Sequence, residues 1–189
     1  MISTLKIAIR FTVITTILLG LIYPLAMTAI AHVLWRDKAD GQLTTKNGQV
    51  IGSAIIGQSF SSDGYFHGRP SAAGNGYDAA NSSGSNLALS DKKLIDRING
   101  DVATYQKLNP GHPVPIDLVT SSGSGLDPEI TPAAALYQVH RVAQARHISD
   151  DAIHQLVIAH VQERQFGILG EPRVNVLQLN LALDDDAGK

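Results

Sequence analysis

No cysteine occurs among the 189 residues. Disulfides, thiolate metal sites and a cysteine nucleophile are therefore excluded. Strong charge of either sign is also missing, with 15 Lys and Arg against 17 Asp and Glu and a formal net charge of -2. Nucleic-acid binders leave a basic footprint, and this chain has none. Acidic residues are absent from one region altogether, because none precedes Asp37. Beyond position 35 stand 13 basic residues (the 15 less Lys6 and Arg10) against 17 acidic ones. The amino-terminal piece is chemically different from everything after it. Catalytic signatures are scarce as well. The seven histidines include no His-x3-His pair of the kind zinc sites favour. There is no Gly-x-Ser-x-Gly elbow and no Walker A sequence.

What is present begins with an apolar run. From Phe11 to Trp35 there are 25 residues without one Asp, Glu, Lys or Arg. As a helix this spans roughly 37 Å, more than a hydrocarbon core of about 30 Å. The spacing predicts a cytoplasmic tail over 1–10, a transmembrane helix over 11–35, interrupted at Tyr23-Pro24, and an extracytoplasmic domain over 36–189. Lys6 and Arg10 precede the run, whereas Arg36 and Lys38 are interleaved with Asp37 and Asp40. Positive charge tends to stay inside, so the N-terminus is expected in the cytoplasm of a bacterial inner membrane and the domain in the periplasm. A cleaved signal peptide ending at Ala29-Ile30-Ala31 is the alternative, although the apolar run continues past that point.

The remainder reads as one small α+β domain. Val50 to Gly57 is β-branched and bounded by glycine, which predicts a strand. Ser61 to Asn86 holds five glycines and six serines without apolar periodicity, a long loop whose Tyr65, Phe66, Arg69, Pro70 and Tyr77 are too bulky for a solvated linker. Ser90-Asp91 opens a helix carrying Leu94, Ile98, Val102 and Tyr105, with Gly100 a point where it could break. Ile116 to Thr120 reads as a short strand. Thr131-Pro132 and Ser149 start two further helices. Leu177, Leu179, Leu181 and Leu183 alternate with less apolar residues, which predicts a terminal strand. Ser121-Ser122-Gly123-Ser124-Gly125 offers amides and hydroxyls that could cradle an oxyanion, or a tight structural turn.

Several ordered segments then carry a resemblance. They are Gln58-Ser59-Phe60, Tyr65-Phe66, Arg69-Pro70-Ser71-Ala72, Ser83-Gly84-Ser85-Asn86-Leu87, Val114-Pro115-Ile116-Asp117-Leu118, Ser122-Gly123-Ser124-Gly125-Leu126-Asp127-Pro128, Thr131-Pro132-Ala133 and Gly170-Glu171-Pro172-Arg173-Val174-Asn175-Val176. In this order, behind one N-terminal span, they resemble the C subunits of bacterial Kdp potassium-transporting ATPases across essentially the whole chain. The resemblance implies an accessory subunit that is not a catalyst by itself. Its implied partners are a channel-like potassium-translocating subunit, a P-type ATPase subunit and a small single-span subunit. It further implies a chaperone role that raises the ATP affinity of the hydrolysing subunit. In agreement, the chain has no Asp-Lys-Thr-Gly-Thr phosphorylation motif. Under this reading ATP is at most shared with the ATPase subunit, and no metal or tightly bound cofactor is expected. Ser121, Ser122, Gly123, Ser124 and Gly125 are the nucleotide-contact candidates. Phe60, Tyr65, Phe66, Arg69, Pro70, Asn86 and Arg173 are the candidates for docking to partners.

Overall fold

The computed structural model describes residues 2–186. The chain divides into one unit ending at Ile51 and another beginning at Gly52.

The first unit opens with a continuous helical rod from Ile2 to Leu34 that buries none of its apolar side chains. Its parts are α1 (Ile2–Ile17), a π-helical turn (Leu18–Ile22) and α2 (Tyr23–Leu34). Proline explains the π turn. Pro24 has no N–H to give to the turn before it, and its ring would crowd the carbonyl four residues back. The backbone widens there, and the Tyr23 N–H bonds the Leu18 carbonyl five residues back. The helix therefore begins well before Phe11 and takes in Lys6 and Arg10. At 33 residues with a mean hydropathy of 2.1, the rod is long and apolar enough to span a membrane. A short α3 (Arg36–Ala39) follows, then the hairpin β1 (Leu43–Lys46) and β2 (Gln49–Ser53). Asn47 at φ +53° and Gly48 at φ +78° make the two-residue turn this hairpin needs. The strand expected over 50–57 thus stops at Ser53.

In the second unit, β3 (Glu129–Ile130), β4 (Val161–Gln162) and β5 (Arg173–Asn175) form an antiparallel sheet in the order β3-β5-β4. Val174 sits opposite Ile130 on one side and Val161 on the other. Helices do most of the burying. α4 (Lys92–Leu108) runs through Gly100 without a break and is capped by the Asp91 carboxylate on the Lys93 N–H at 2.8 Å. Thr131 and Ser149 cap α5 (Pro132–Tyr137) and α7 (Asp150–Ala159), and α6 (Val139–Arg146) lies between them. The core gathers Phe66, Leu118, Ile130, Val142, Ile153, Val157, Val174, Leu179 and Leu183, among others. Each such side chain taken out of water is worth roughly 1.5–3 kcal/mol.

Two expected strands are corrected. Ile116–Leu118 is a 3-10 turn that sends Asp117 and Leu118 inward. Pro115 leads into it, and the buried Asp117 carboxylate accepts the Thr131 N–H at 2.8 Å, which a flat strand would not allow. The C-terminal run is α8 (Val176–Asp186), an α-helix. Of its buried residues, Val176, Leu179, Asn180 and Leu183 follow helical spacing and Leu177 is buried beside them at the helix start, so alternating leucines and an i, i+3, i+4, i+7 stripe coexist in one sequence. The out-of-phase Val174 and Val176 mark the junction where β5 ends and α8 begins.

Candidate functional site

The long loop 61–86 contains only one turn of 3-10 helix, Ala79–Asn81, yet both of its halves are tied to the rest of the domain. Its first half is held by side-chain amides arriving from helices. Asn180 on α8 accepts the Phe66 N–H at 2.8 Å and donates to the Phe66 carbonyl at 3.0 Å. Gln138, between α5 and α6, does the same for His67 at 2.8 and 3.1 Å. The two amides thus act as a neighbouring strand would, supplying paired donors and acceptors to an extended backbone. Arg141 adds hydrogen bonds to the Asp63 and Tyr65 carbonyls at 2.6 and 2.9 Å. Burial presses its pKa downward, an effect that three oxygen acceptors, the Gln138 amide included, help to compensate. Burial also lowers the pKa of His67, and the nearby Arg141 guanidinium lowers it further.

The second half is joined to residues 120–127. Arg69 donates to the Asp127 carboxylate at 3.1 Å and to the Thr120 carbonyl at 3.3 Å. The Tyr77 hydroxyl donates to the Arg69 carbonyl at 2.6 Å, and burial followed by the Asp127 charge raises its pKa to about 12. Ser71 donates to the Gly125 carbonyl at 2.6 Å. Gly125 has φ +66°, and a side chain there would meet the Ser83 carbonyl oxygen at 2.5 Å. Glycine is required at that point because two loops pass within contact of each other.

This geometry sorts the residues named from sequence. Phe66 is 0% exposed and belongs to the core, so it is unavailable to a partner. Tyr65 is half-buried, lies under the Arg146 guanidinium at 4.5 Å and donates to Asp184 at 3.1 Å. Phe60, Arg69 and Pro70 line one cleft of about 290 Å3. Arg69 and Arg173 line another of about 420 Å3, shared with Asp117, Asp127, Glu129 and Glu171. Arg173 pairs with Glu129 at 2.8 Å. Asn86 is exposed with φ +52°.

The Ser122 loop bonds to itself and to the long loop at its C-terminal end. The Gly125 N–H bonds the Ser122 carbonyl, and the Leu126 N–H bonds Ser124 Oγ. The Ser124 carbonyl takes the Ser83 N–H at 2.9 Å and the Ser82 hydroxyl at 3.0 Å. Within the candidate segment 121–125, the Gly125 amide is thus already used inside the domain. Among the described residues, no group of three His, Cys, Asp or Glu could hold a metal ion. Gln138, Asn180 and Arg141 were not anticipated from sequence, because the partner of a buried amide lies 71 or 114 residues away.

Comparison with known proteins bears on the whole chain. Residues 5–185 match the family described as the c chain of K+-transporting ATPases. The chain belongs to that family. A protein of Koribacter versatilis, named potassium-transporting ATPase KdpC subunit, is 55% identical over 177 residues, covering 94% of this chain and 92% of its own. Proteins of the same name from Methylobacterium nodulans and Acidobacterium capsulatum are 51% and 54% identical, covering 100% and 95% of this chain and 100% and 97% of theirs. Among the described residues, one helix, Ile2–Leu34, is long and apolar enough to cross a membrane.

Proposed function

We propose that this chain is the single-span accessory subunit of an ATP-driven potassium importer in the bacterial plasma membrane. The observation that carries the reading is full-length kinship with proteins named as subunits of a potassium-transporting ATPase. The partners in this reading are a channel-like potassium-translocating subunit, a P-type ATPase subunit and a small single-span subunit. The chain assembles with them and raises the ATP affinity of the hydrolysing subunit, where any shared ATP is bound. The lack of a Walker A or phosphorylation motif supports a role without its own catalysis.

Lys6 and Arg10 before the apolar run favour a cytoplasmic N-terminus and a periplasmic domain. Beyond the run, Arg36 lies beside Asp40 at 3.6 Å, which weakens the positive charge on that side. An extracytoplasmic domain influences ATP use through its partner subunits, not by touching nucleotide.

Affinity purification of the full chain from its native membrane, followed by mass spectrometry, tests assembly. The expected result is recovery of a polytopic subunit and a P-type ATPase in fixed proportion. Recovery of the chain alone would leave a lone tethered domain. Cysteine at exposed Asp185 is expected to react with a membrane-impermeant reagent in intact spheroplasts, and reaction only after lysis would reverse the orientation. Omitting the chain from the complex is expected to raise the apparent KM for ATP. The double change Ser122→Ala and Ser124→Ala is expected to leave that constant unaltered.

A further inference from the structure

Between β4 and β5 the chain turns back through a tip that has no use inside the domain. Gln165 and Leu169 exchange backbone hydrogen bonds at 2.9 Å each, closing a three-residue loop of Phe166, Gly167 and Ile168. Phe166 is 91% exposed, Ile168 76% and Leu169 54%. Phe166 is also held at φ +55°, a conformation that a large aromatic side chain rarely takes. Both the exposure and the backbone count against the isolated domain. From Gln165 to Gly170 there is no charged residue.

We infer that this tip is a plug for an uncharged, apolar socket on a protein partner; the inference rests on the assembly proposed above. Charge argues for protein over lipid. A loop that docks on an anionic bilayer gains most from free basic side chains around its apolar end. Here the adjacent basic groups are engaged, Arg164 with Glu171 and Arg173 with Glu129. A tip with no charge of its own and a neutralised stem fits a neutral socket. Phe166 is the type of residue that anchors interfaces, large and stiff, with paired polar groups around it. The stem is continuous with the candidate docking surface, because Gly170, Glu171 and Arg173 line the same 420 Å3 groove as Arg69.

The test places a benzophenone amino acid at Phe166 in the full chain, produced together with its partner subunits. Illumination is expected to give an adduct with a polytopic subunit, mapping to an apolar segment outside the membrane core. An adduct with lipid alone, or with a second copy of this chain, overturns the inference. Phe166→Gly separates docking from folding, since glycine accepts the left-handed backbone. The variant is expected to melt at the same temperature or higher while recovery of the assembled complex falls roughly tenfold. Lower melting, or unchanged assembly, sinks the plug. The unmodified chain is purified in parallel. If it also lacks partners, the proposed function and the plug fall together. If partners are retained without a Phe166 adduct, the plug alone falls.

Discussion

Between Ile2 and Leu34 the backbone satisfies itself and leaves every apolar side chain outside. Between Ser61 and Asn86 the backbone makes only isolated local turns, and side chains from distant helices come to its first half. The helix is ordered by its own hydrogen bonds, but its surface requires a solvent other than water. The loop, rich in glycine and serine, would be a linker by composition. Its first half is held because Gln138, Arg141 and Asn180 supply the partners that a sheet would otherwise provide. Composition therefore predicts which solvent a segment needs more reliably than whether it is ordered.

The largest effect is expected where that contrast is sharpest. Ile14→Asp with Leu19→Asp places two charges mid-span, each costing about 3 kcal/mol in a membrane. The chain should leave the alkali-resistant membrane fraction, while the melting temperature of its domain stays constant. A parallel loss of domain stability would show that the rod is a folding element and not an anchor. Asn180→Leu comes next. It keeps the volume but leaves the Phe66 N–H and carbonyl buried and unpaired, for a loss of about 3 kcal/mol. Calorimetry of the detergent-solubilised chain reads this as a drop in melting temperature. A neutral result would mean the loop holds itself.

Arg69→Ala is expected to cost about 1.5 kcal/mol. The Asp127 and Arg69 side chains are 29% and 25% exposed, so solvent weakens the pair below a fully buried one. Unchanged melting with weakened assembly would return Arg69 to a purely docking role. The smallest effect belongs to Tyr77→Phe, visible mainly at high pH. The phenol keeps its proton in the fold up to about 12, against 10.0 when unfolded. The unfolded chain therefore releases that proton first, and stability falls as pH climbs from 10 towards 12. The phenylalanine variant should lack that alkaline slope in a series of melting curves.

What could be read from the sequence follows from how local each signal is. The caps at Asp91, Thr131 and Ser149 involve bonds within three residues, and all three helices start where those residues stand. The apolar span needed only its own length, and the helix that contains it starts nine residues earlier, at Ile2. The terminal leucines fit two periods equally, and Asn180, which shares the helix's buried face, has its partner Phe66 114 residues away. Ile116–Thr120 has strand composition, but Asp117 inside it is recruited by Thr131. Arg69 stood out as a bulky residue in a loop, while its commitment to Asp127 depended on a fold no short window reveals. Phe166 drew no attention because a single phenylalanine beside glycine is unremarkable until its exposure is known.

The two amide clasps also differ in what the chemical loss of each would do to the loop. Deamidation replaces an NH2 with an oxygen and turns a donor into an acceptor. An aspartate at Asn180 could still take the Phe66 N–H, but it would face the Phe66 carbonyl with a like dipole and bring a charge into a site 1% exposed. The same one-group change at Gln138 would release the His67 carbonyl, although the neighbouring Arg141 would hold the new carboxylate. Hydrolysis at Asn180 would therefore open the loop, whereas hydrolysis at Gln138 would partly repair itself. Asn180 is thus the amide whose loss would cost the loop most.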